Sequence, residues 1–288
     1  MRVLCFAAHM PVPKGEKMND ITEQEFQSIR DYIQEHYGIH LGNEKKSLVY
    51  SRLRMTLQEK GFTSFTQYYD YLVNDKTGEA VSRFIDKMTT NHTYFMREPD
   101  HFDHFREAAL PFVESTAPDK DARVWCAGCA SGEEAYTLEM TMQDYFRGKP
   151  GWNTELLATD ISTNILDRAV EGVYDEESVK TLPQSWRRMY FKEQEAGRLA
   201  ISKELKKLVT FRAFNLMQEN SPFRRNFHVI FCRNVMIYFN NTTRDALVRR
   251  FYDMLEPGGY LYIGHSESLN QMDTGFKYIK PAVYRRPL

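Results

Sequence analysis

The chain has 288 residues, a length that predicts one or two domains. Its 38 Lys and Arg balance 39 Asp and Glu, and the formal net charge of -1 excludes a global electrostatic attraction to nucleic acid. Four cysteines do not suggest a disulfide framework, and no apolar run approaches the roughly 20 residues of a membrane-spanning helix. We therefore predict a cytoplasmic protein that does not insert into the membrane.

The first ninety residues predict a flexible leader and then a small helical domain. Residues 1–17 contain prolines and a glycine without periodicity, whereas residues 18–90 carry apolar side chains at three- and four-residue spacing. Thr22 is placed to cap the first helix, and Gly61 to end the second. The four expected helices begin near residues 22, 43, 65 and 79.

One helix of this domain is distinctly basic. Lys45, Lys46, Arg52 and Arg54 lie on the second predicted helix, and the seven-residue spacing of Lys45 and Arg52 puts these two on one face. One interpretation is a solvated charged face. The other is a docking surface for an acidic partner, formed by Lys45, Lys46 and Arg52, which we call the basic patch.

Residues 91–105 are predicted to be a linker that contributes to a ligand site. Hydrogen-bonding side chains, among them Asn91 and Thr93, are unusually frequent there. Arg97 can pair with a carboxylate in the bidentate manner that arginine favours. The alternative is an ordinary surface linker.

Residues 106–288 predict an α/β domain, because strand-like and helical runs alternate. Residues 276–285 are expected to form one further strand, and the glycines at 258 and 259 to end the preceding helix. Short polar segments over residues 173–211 indicate an inserted subdomain. The expected core strands are 123–127, 155–159, 208–212, 228–232 and 260–263, and the expected helices are 133–146, 162–170 and 242–255.

The segment after the first strand predicts the cofactor. Gly128 and Gly132 allow a sharp turn and a close backbone approach to a nucleotide-like ligand. Glu133 and Glu134 stand at the position where a dinucleotide-binding loop would hold a pyrophosphate, and their negative charges would repel it. They therefore favour a cofactor that carries positive charge, S-adenosylmethionine. Asp160 ends the second strand, where it can accept hydrogen bonds from both ribose hydroxyls.

Two other groups of residues carry side chains with possible chemical roles. Cys126 and Cys129 have redox-like spacing, but no second ligand pair for zinc lies nearby, and the acids that follow disfavour a thiolate. We interpret both as small residues that pack under a ligand. Asn234 and Tyr238 follow the fourth core strand, at the edge where parallel sheets bind ligands. The alternative for Tyr238 is a core position, because a tyrosine within a run of apolar residues is often buried.

Over about residues 20–285 the chain resembles the CheR family, the glutamate methyltransferases of bacterial chemotaxis receptors. The segments that carry the resemblance are TTNHTYFMRE at 89–98, GEEAY at 132–136, ATDI at 158–161, FCRNVMIYF at 231–239 and GHSE at 264–267. The implied fold is a Rossmann-like S-adenosylmethionine-dependent methyltransferase domain with a small inserted β subdomain, preceded by a small all-α domain.

The resemblance also implies a site, a reaction and a partner. Arg97 and Tyr238 would lie beside the transferred methyl group, with S-adenosylhomocysteine as product and no metal required. The substrate would be the helical cytoplasmic bundle of a receptor, methylated by a monomer. The implied cofactor contacts are Asn91, Thr93, Arg97, one of Glu133 and Glu134, Asp160, Asn215, Leu216, Asn234 and Val235.

The inserted segment departs from one branch of the family. Members that bind a pentapeptide at the receptor C-terminus carry a glycine-rich extension there, whereas residues 190–199 contain only Gly197. We therefore expect that no such tether is bound. Two other functions stay open. One is a nucleic-acid methyltransferase, which would normally show a pocket for a flipped base and a more basic surface. The other is a non-catalytic sensor or scaffold that binds S-adenosylmethionine.

Overall fold

The computed structural model describes residues 20–218, 222–269 and 274–288. Contacts divide this part of the chain into two compact units, one of residues 20–35 with 40–88 and one of residues 36–39 with the described residues from 89 onward. The predicted leader over residues 1–17 lies outside the described residues.

The first unit is helical, as the apolar periodicity predicts. A capping box begins the first helix, because Thr22 Oγ1 accepts the Glu25 N–H while the Glu25 carboxylate accepts the Thr22 N–H. Gly61, with φ of 73°, ends the second helix in the left-handed conformation that glycine adopts without strain. The helices are α1 (Glu23–Tyr37), α2 (Lys46–Lys60), α3 (Phe65–Asn74) and α4 (Glu79–Met88), with a 3-10 turn at Asn43–Lys45 before α2.

A helical segment opens the second unit. It consists of α5 (Pro99–His104), a π-helical stretch (Phe105–Ala109) and α6 (Leu110–Thr116). These helices were not predicted from the sequence, and α5 falls within the predicted linker over residues 91–105. Phe102, Phe105 and Leu110 are buried in the core of this unit, so apolar packing stabilises the segment.

A seven-stranded sheet forms the centre of the second unit, in the order β6-β2-β1-β7-β8-β10-β9. The first five strands of that order are parallel, and β10 and β9 are antiparallel additions. The sheet consists of β1 (Val124–Ala127), β2 (Leu156–Asp160), β6 (Val209–Ala213), β7 (Phe227–Cys232), β8 (Leu255–Ile263), β9 (Lys277–Lys280) and β10 (Val283–Arg285). The helices α7 (Glu133–Tyr145), α8 (Thr163–Glu171) and α12 (Asn241–Met254) alternate with these strands.

Both faces of this sheet are covered, as a mostly parallel sheet requires. Cys126 and Phe231 face one buried cluster, and their chain neighbours Trp125 and Ile230 face the other. The strand order reverses between β1 and β7, because β2 and β6 are added on one side of β1, and β7 and β8 on the other. Open α/β sheets bind ligands at the carboxyl ends of the two strands at such a switch point.

The inserted subdomain is a second, three-stranded antiparallel sheet in the order β3-β5-β4. The predicted insertion over residues 173–211 extends into β6, which pairs with β2 in the large sheet. The insertion consists of β3 (Val173–Asp175), α9 (Glu176–Val179), α10 (Gln184–Tyr190), β4 (Phe191–Glu193), a 3-10 turn (Glu195–Gly197), β5 (Arg198–Ile201) and α11 (Lys203–Lys206).

Two predictions near the C-terminus are wrong. Residues 276–285 form two antiparallel strands, because the chain reverses at residues 281 and 282, where Ala282 has a φ of 61°. Gly258 and Gly259 lie inside β8, and α12 already ends at Met254. The pairing register with β7 shifts between Phe227 and Val229, opposite this part of β8. The two glycines therefore lie in an irregular part of a strand and do not end a helix.

Candidate functional site

The loop after β1 has the close backbone packing that its glycines predict. Gly128 has a φ of 88°, and a Cβ there would lie 2.3 Å from Cγ2 of Val235. The N–H groups of Gly128 and Cys129 donate to the Thr159 carbonyl, at 2.7 and 2.9 Å. Larger residues would push this loop away from the carboxyl ends of β2 and β7.

Asp160 lies at the end of β2, as predicted, and its carboxylate shapes the loop. One oxygen accepts the Ala130 N–H at 2.9 Å, and the other accepts the Ser162 N–H at 3.0 Å. The Ala130 contact holds a residue with a φ of 45°, a conformation that is uncommon outside glycine. Asp160 is half-buried at the carboxyl end of β2, and a carboxylate is a side chain that accepts hydrogen bonds from hydroxyl groups.

The structure distinguishes the two acids that begin α7. Glu134 pairs with Arg233 at 2.9 Å and accepts a weak hydrogen bond from the Cys126 thiol at 3.3 Å. Glu133 accepts a hydrogen bond from Ser131 Oγ at 2.6 Å, and no cation of the described residues forms an ion pair with it. Burial raises the pKa of both carboxyls, and Arg233 opposes this rise at Glu134. Glu134 therefore belongs to a buried ion-pair network.

Arg233 is the centre of that network. Its side chain is fully buried, pairs with Glu98 at 3.0 Å as well as with Glu134, and donates to the Arg97 carbonyl. Its guanidinium also lies over the Phe102 ring, 5.4 Å from the centroid. Burial alone would raise the pKa of Glu98, but the Arg233 charge and hydrogen bonds lower it below its usual value. One arginine thus joins the end of β7, the start of α7 and the segment before α5.

Glu267 organises the loop after β7. Its carboxylate accepts the N–H groups of Asn234 at 3.0 Å, Gly264 at 2.6 Å and Ile237 at 3.2 Å. These bonds hold Asn234 at a φ of 59°. Gly264 is required beside it, because a Cβ there would lie 2.4 Å from Asn234 Nδ2. Burial raises the pKa of Glu267, and the backbone donors oppose that rise.

The two residues predicted beside the transferred methyl group both contact the segment before α5. Tyr238 Oη accepts the Thr90 N–H at 3.0 Å and donates to the Thr90 carbonyl at 3.3 Å. Arg97 donates from Nη1 to the His92 carbonyl at 2.9 Å and remains half-buried. Asn91, which accepts a hydrogen bond from Thr89, and Thr93 are also half-buried in this segment.

The remaining predicted cofactor residues follow β6 and β7. Asn215 donates to the His36 carbonyl at 2.8 Å and accepts the Met217 N–H at 2.9 Å, so its amide shapes the turn after β6. Leu216 and Val235 are half-buried and pack against the apolar cluster around Trp125. The chain reaches Asn215 directly from Phe214, whose N–H donates to the Asp160 carbonyl at 2.9 Å.

The cysteines at the end of β1 are buried and reduced. Burial raises the pKa of the Cys126 and Cys129 thiols well above the usual value, and the neighbouring carboxylates raise it further. A thiolate is therefore disfavoured at both positions, which agrees with their interpretation as packing residues.

In the helical unit, two members of the basic patch have partners within that unit. Arg52 donates to the Lys87 carbonyl at 2.6 Å, and Lys46 pairs with Glu23 at 3.0 Å. Lys45 is exposed and lies in the 3-10 turn before α2, not on α2 itself. The charges of the patch therefore differ in how accessible they are.

The sequence patterns did not indicate that Arg233, Glu98 and Glu267 hold the loops of this region together. All three lie inside or beside the segments that carry the family resemblance. A usable signal was present at Arg233, because an arginine directly after the buried run of β7 must find acidic partners when it is buried.

The fold and the site define a class of protein. A Rossmann-like sheet with a glycine-containing loop and carboxylates at the ends of β1 and β2 is an arrangement suited to S-adenosylmethionine. Among the residues of known placement, no helix combines the length and apolar character needed to cross a bilayer.

Comparisons with known proteins give the family. Residues 91–285 match the CheR methyltransferase SAM-binding domain, and residues 24–89 match the CheR methyltransferase all-alpha domain. A chemotaxis protein methyltransferase of Borreliella burgdorferi is 38% identical over 271 residues, which cover 93% of this chain and 95% of that protein. The chemotaxis protein methyltransferase of Escherichia coli K12 is 34% identical over 92% of this chain and 91% of its own length. The chain belongs to the CheR methyltransferase family, and its cofactor is S-adenosylmethionine.

Proposed function

We propose that this protein methylates glutamate side chains in the helical cytoplasmic bundle of bacterial chemotaxis receptors, giving methyl esters. It would act in the cytoplasm as a monomer. The match to the CheR SAM-binding domain over residues 91–285 carries this proposal. Two relatives that align with more than nine tenths of this chain are named chemotaxis protein methyltransferases, and these names support the receptor as substrate.

The residues at the strand ends fit this cofactor. Gly128 allows close approach, and the acids Glu133 and Asp160 suit a ligand with a cationic sulfonium and ribose hydroxyls. Glu133, and not Glu134, is our proposed acidic contact, because Glu134 is bound to Arg233. The other proposed contacts are Asn91, Thr93, Arg97, Asn215, Leu216, Asn234 and Val235.

The chemistry requires alignment more than activation. S-adenosylmethionine supplies an electrophilic methyl group, which a carboxylate oxygen takes as the carbon–sulfur bond breaks and its electrons pass to sulfur. A glutamate is already ionised near neutral pH, since its reference pKa is about 4.3. No general base is needed, and His265 has no required role in the transfer. The protein must therefore orient the two reactants and exclude water.

Arg97 and Tyr238 would do this orienting. We propose that Arg97 guides the incoming carboxylate, because a strong bidentate pair would reduce the nucleophilicity of the oxygens. Tyr238 would act through the segment that contains Arg97, since its hydroxyl makes two hydrogen bonds to Thr90. The exposed charge of Lys45 in the basic patch would attract the acidic receptor surface.

The decisive experiment is incubation with methyl-labelled S-adenosylmethionine and a receptor cytoplasmic fragment. Base-labile label on the receptor is the expected result. Label on added nucleic acid, or tight cofactor binding without any transfer, would overturn the proposal in favour of the two alternative functions.

Matched variants test the assigned residues. Asp160→Ala should weaken S-adenosylhomocysteine binding by one to two orders of magnitude, because hydrogen bonds to a charged group contribute about 1.5–3 kcal/mol. Glu133→Gln should also weaken it, while Glu134→Gln should mainly lower stability. Arg97→Ala should reduce both the rate of methyl transfer and the cofactor affinity. Tyr238→Phe should reduce the rate of methyl transfer alone. Calorimetry and single-turnover kinetics separate these effects, and unchanged binding in Asp160→Ala would remove that residue from the site.

A further inference from the structure

Three side chains with metal-binding atoms converge beside α5, outside the proposed methyl-transfer groups. Glu98 immediately precedes α5, His101 lies in its first turn, and His265 follows the end of β8. One ligand atom from each lies within 4.8 Å of the other two. Imidazole nitrogens and a carboxylate oxygen form the donor set that proteins use for zinc and related divalent ions.

His101 is the most unusual member of this cluster. It is fully buried, and neither ring nitrogen has a hydrogen-bond partner. Buried polar groups without partners are rare, because each loses its hydration without compensation. Nδ1 lies 3.4 Å from a Glu98 oxygen without forming a hydrogen bond. Two ligands of a tetrahedral ion are separated by about 3.3 Å when the bonds are about 2.0–2.1 Å long, so the observed spacing suits a shared metal.

His265 has the support that metal-binding histidines commonly have. Its Nε2 lies 3.2 Å from the carboxylate of Asp100, which also pairs with Lys280 at 3.2 Å. A histidine that binds a metal through one nitrogen usually gives its other N–H to a carboxylate, which fixes the orientation of the ring. Asp100 occupies that position for His265.

Charged groups of both signs surround the cluster. Arg233 pairs with Glu98 at 3.0 Å and Lys280 with Asp100 at 3.2 Å, so the donor atoms of Glu98 and the two histidines define the site, and the net charge around them does not. Glu98 has a φ of 57°, an uncommon conformation for a residue with a side chain, and one of its carboxylate oxygens lies in the cluster. We propose that Glu98, His101 and His265 form a binding site for one divalent transition-metal ion such as Zn²⁺, oriented by Asp100.

A bound ion would join the start of α5 to the end of β8. Because Glu98 adjoins Arg97 and His265 adjoins Gly264, the ion would connect two segments that also shape the proposed methyl-transfer site. Its role would be to order these segments, and the transfer itself would not pass through it. The metal proposal is therefore independent of the receptor substrate.

Binding of Zn²⁺ and Co²⁺ to the untagged full chain tests the proposal. We expect one ion per chain by equilibrium dialysis, higher thermal stability with Zn²⁺, and a Co²⁺ spectrum without thiolate charge-transfer bands. His265→Ala, which changes a half-exposed side chain, should raise the dissociation constant at least tenfold. Asp100→Asn should raise it about 10–100-fold. His40→Ala, a change to an exposed histidine of the helical unit, is the control and should leave it unchanged.

Three outcomes would overturn this site. They are the absence of saturable binding at millimolar metal, an affinity that His265→Ala does not change, and thiolate bands that assign the ion to the buried cysteines. Each is measured without receptor or S-adenosylmethionine, so failure of this proposal leaves the methyltransferase proposal standing.

Discussion

Replacing Arg233 with methionine should strongly destabilise the second unit. The substitution keeps an unbranched buried side chain but leaves Glu98 and Glu134 without their cation. Arg233 is fully buried, and the two carboxylates are only 13% and 12% exposed, so water cannot replace the lost partner. Removing one partner of a buried ion pair costs about 3–5 kcal/mol, and we expect Arg233→Met to fall in that range.

Arg225→Met is the matched control. Arg225 also pairs with two carboxylates, those of Asp119 and Asp121, but its own side chain is 53% exposed. Exposed ion pairs contribute about 0–1 kcal/mol, so the same substitution should cost little at this position. The contrast isolates the effect of burial from the effect of losing an arginine.

Urea unfolding followed by tryptophan fluorescence measures both variants, because Trp125, Trp152 and Trp186 all lie in the second unit. Adding Glu134→Gln to Arg233→Met should recover part of the loss, since it removes one unpaired charge. A cost below about 1 kcal/mol for Arg233→Met, equal to that of Arg225→Met, would refute our interpretation of the network.

Three further predictions follow from other parts of the molecule. Burial, with the Arg123 charge, lowers the pKa of His228 to about 4. Because this folded value lies below the unfolded value of about 6.5, the contribution to stability is present above pH 6.5 and is lost on acidification, by about 2 kcal/mol from pH 7 to pH 5. In urea unfolding, the free energy of unfolding of His228→Gln should lack this part of the loss on acidification. Equal changes in that free energy between pH 7 and pH 5 for the variant and the original protein would contradict the prediction. Charge reversal of the basic patch should raise KM for receptor and leave S-adenosylmethionine binding intact, and added salt should act in the same direction; a KM indifferent to both would make the patch an ordinary solvated face. Receptors with and without a C-terminal pentapeptide should be methylated equally, because the small sheet lacks a glycine-rich extension; micromolar binding of the tail peptide, with a large rate loss on its removal, would show that the tether is used.

Local patterns in the sequence were enough to determine the helices of the first unit, the core strands of the second unit and the class of cofactor. Apolar periodicity predicted the four helices of the first unit, and the strand that ends at Asp160 lies where its short apolar run predicted. Gly128, Gly132 and the acids after them identified the cofactor class, because backbone freedom and charge at one turn depend on neighbouring residues alone.

Tertiary structure decided which charged groups meet. Glu133 and Glu134 are adjacent in sequence and equivalent in any local pattern, yet Arg233, about one hundred residues later, engages only Glu134. In the same way Glu98, His101 and His265 come together only because the end of β8 lies beside the start of α5. Burial and long-range packing set these partners, and neither has a local signature that periodicity or spacing could reveal.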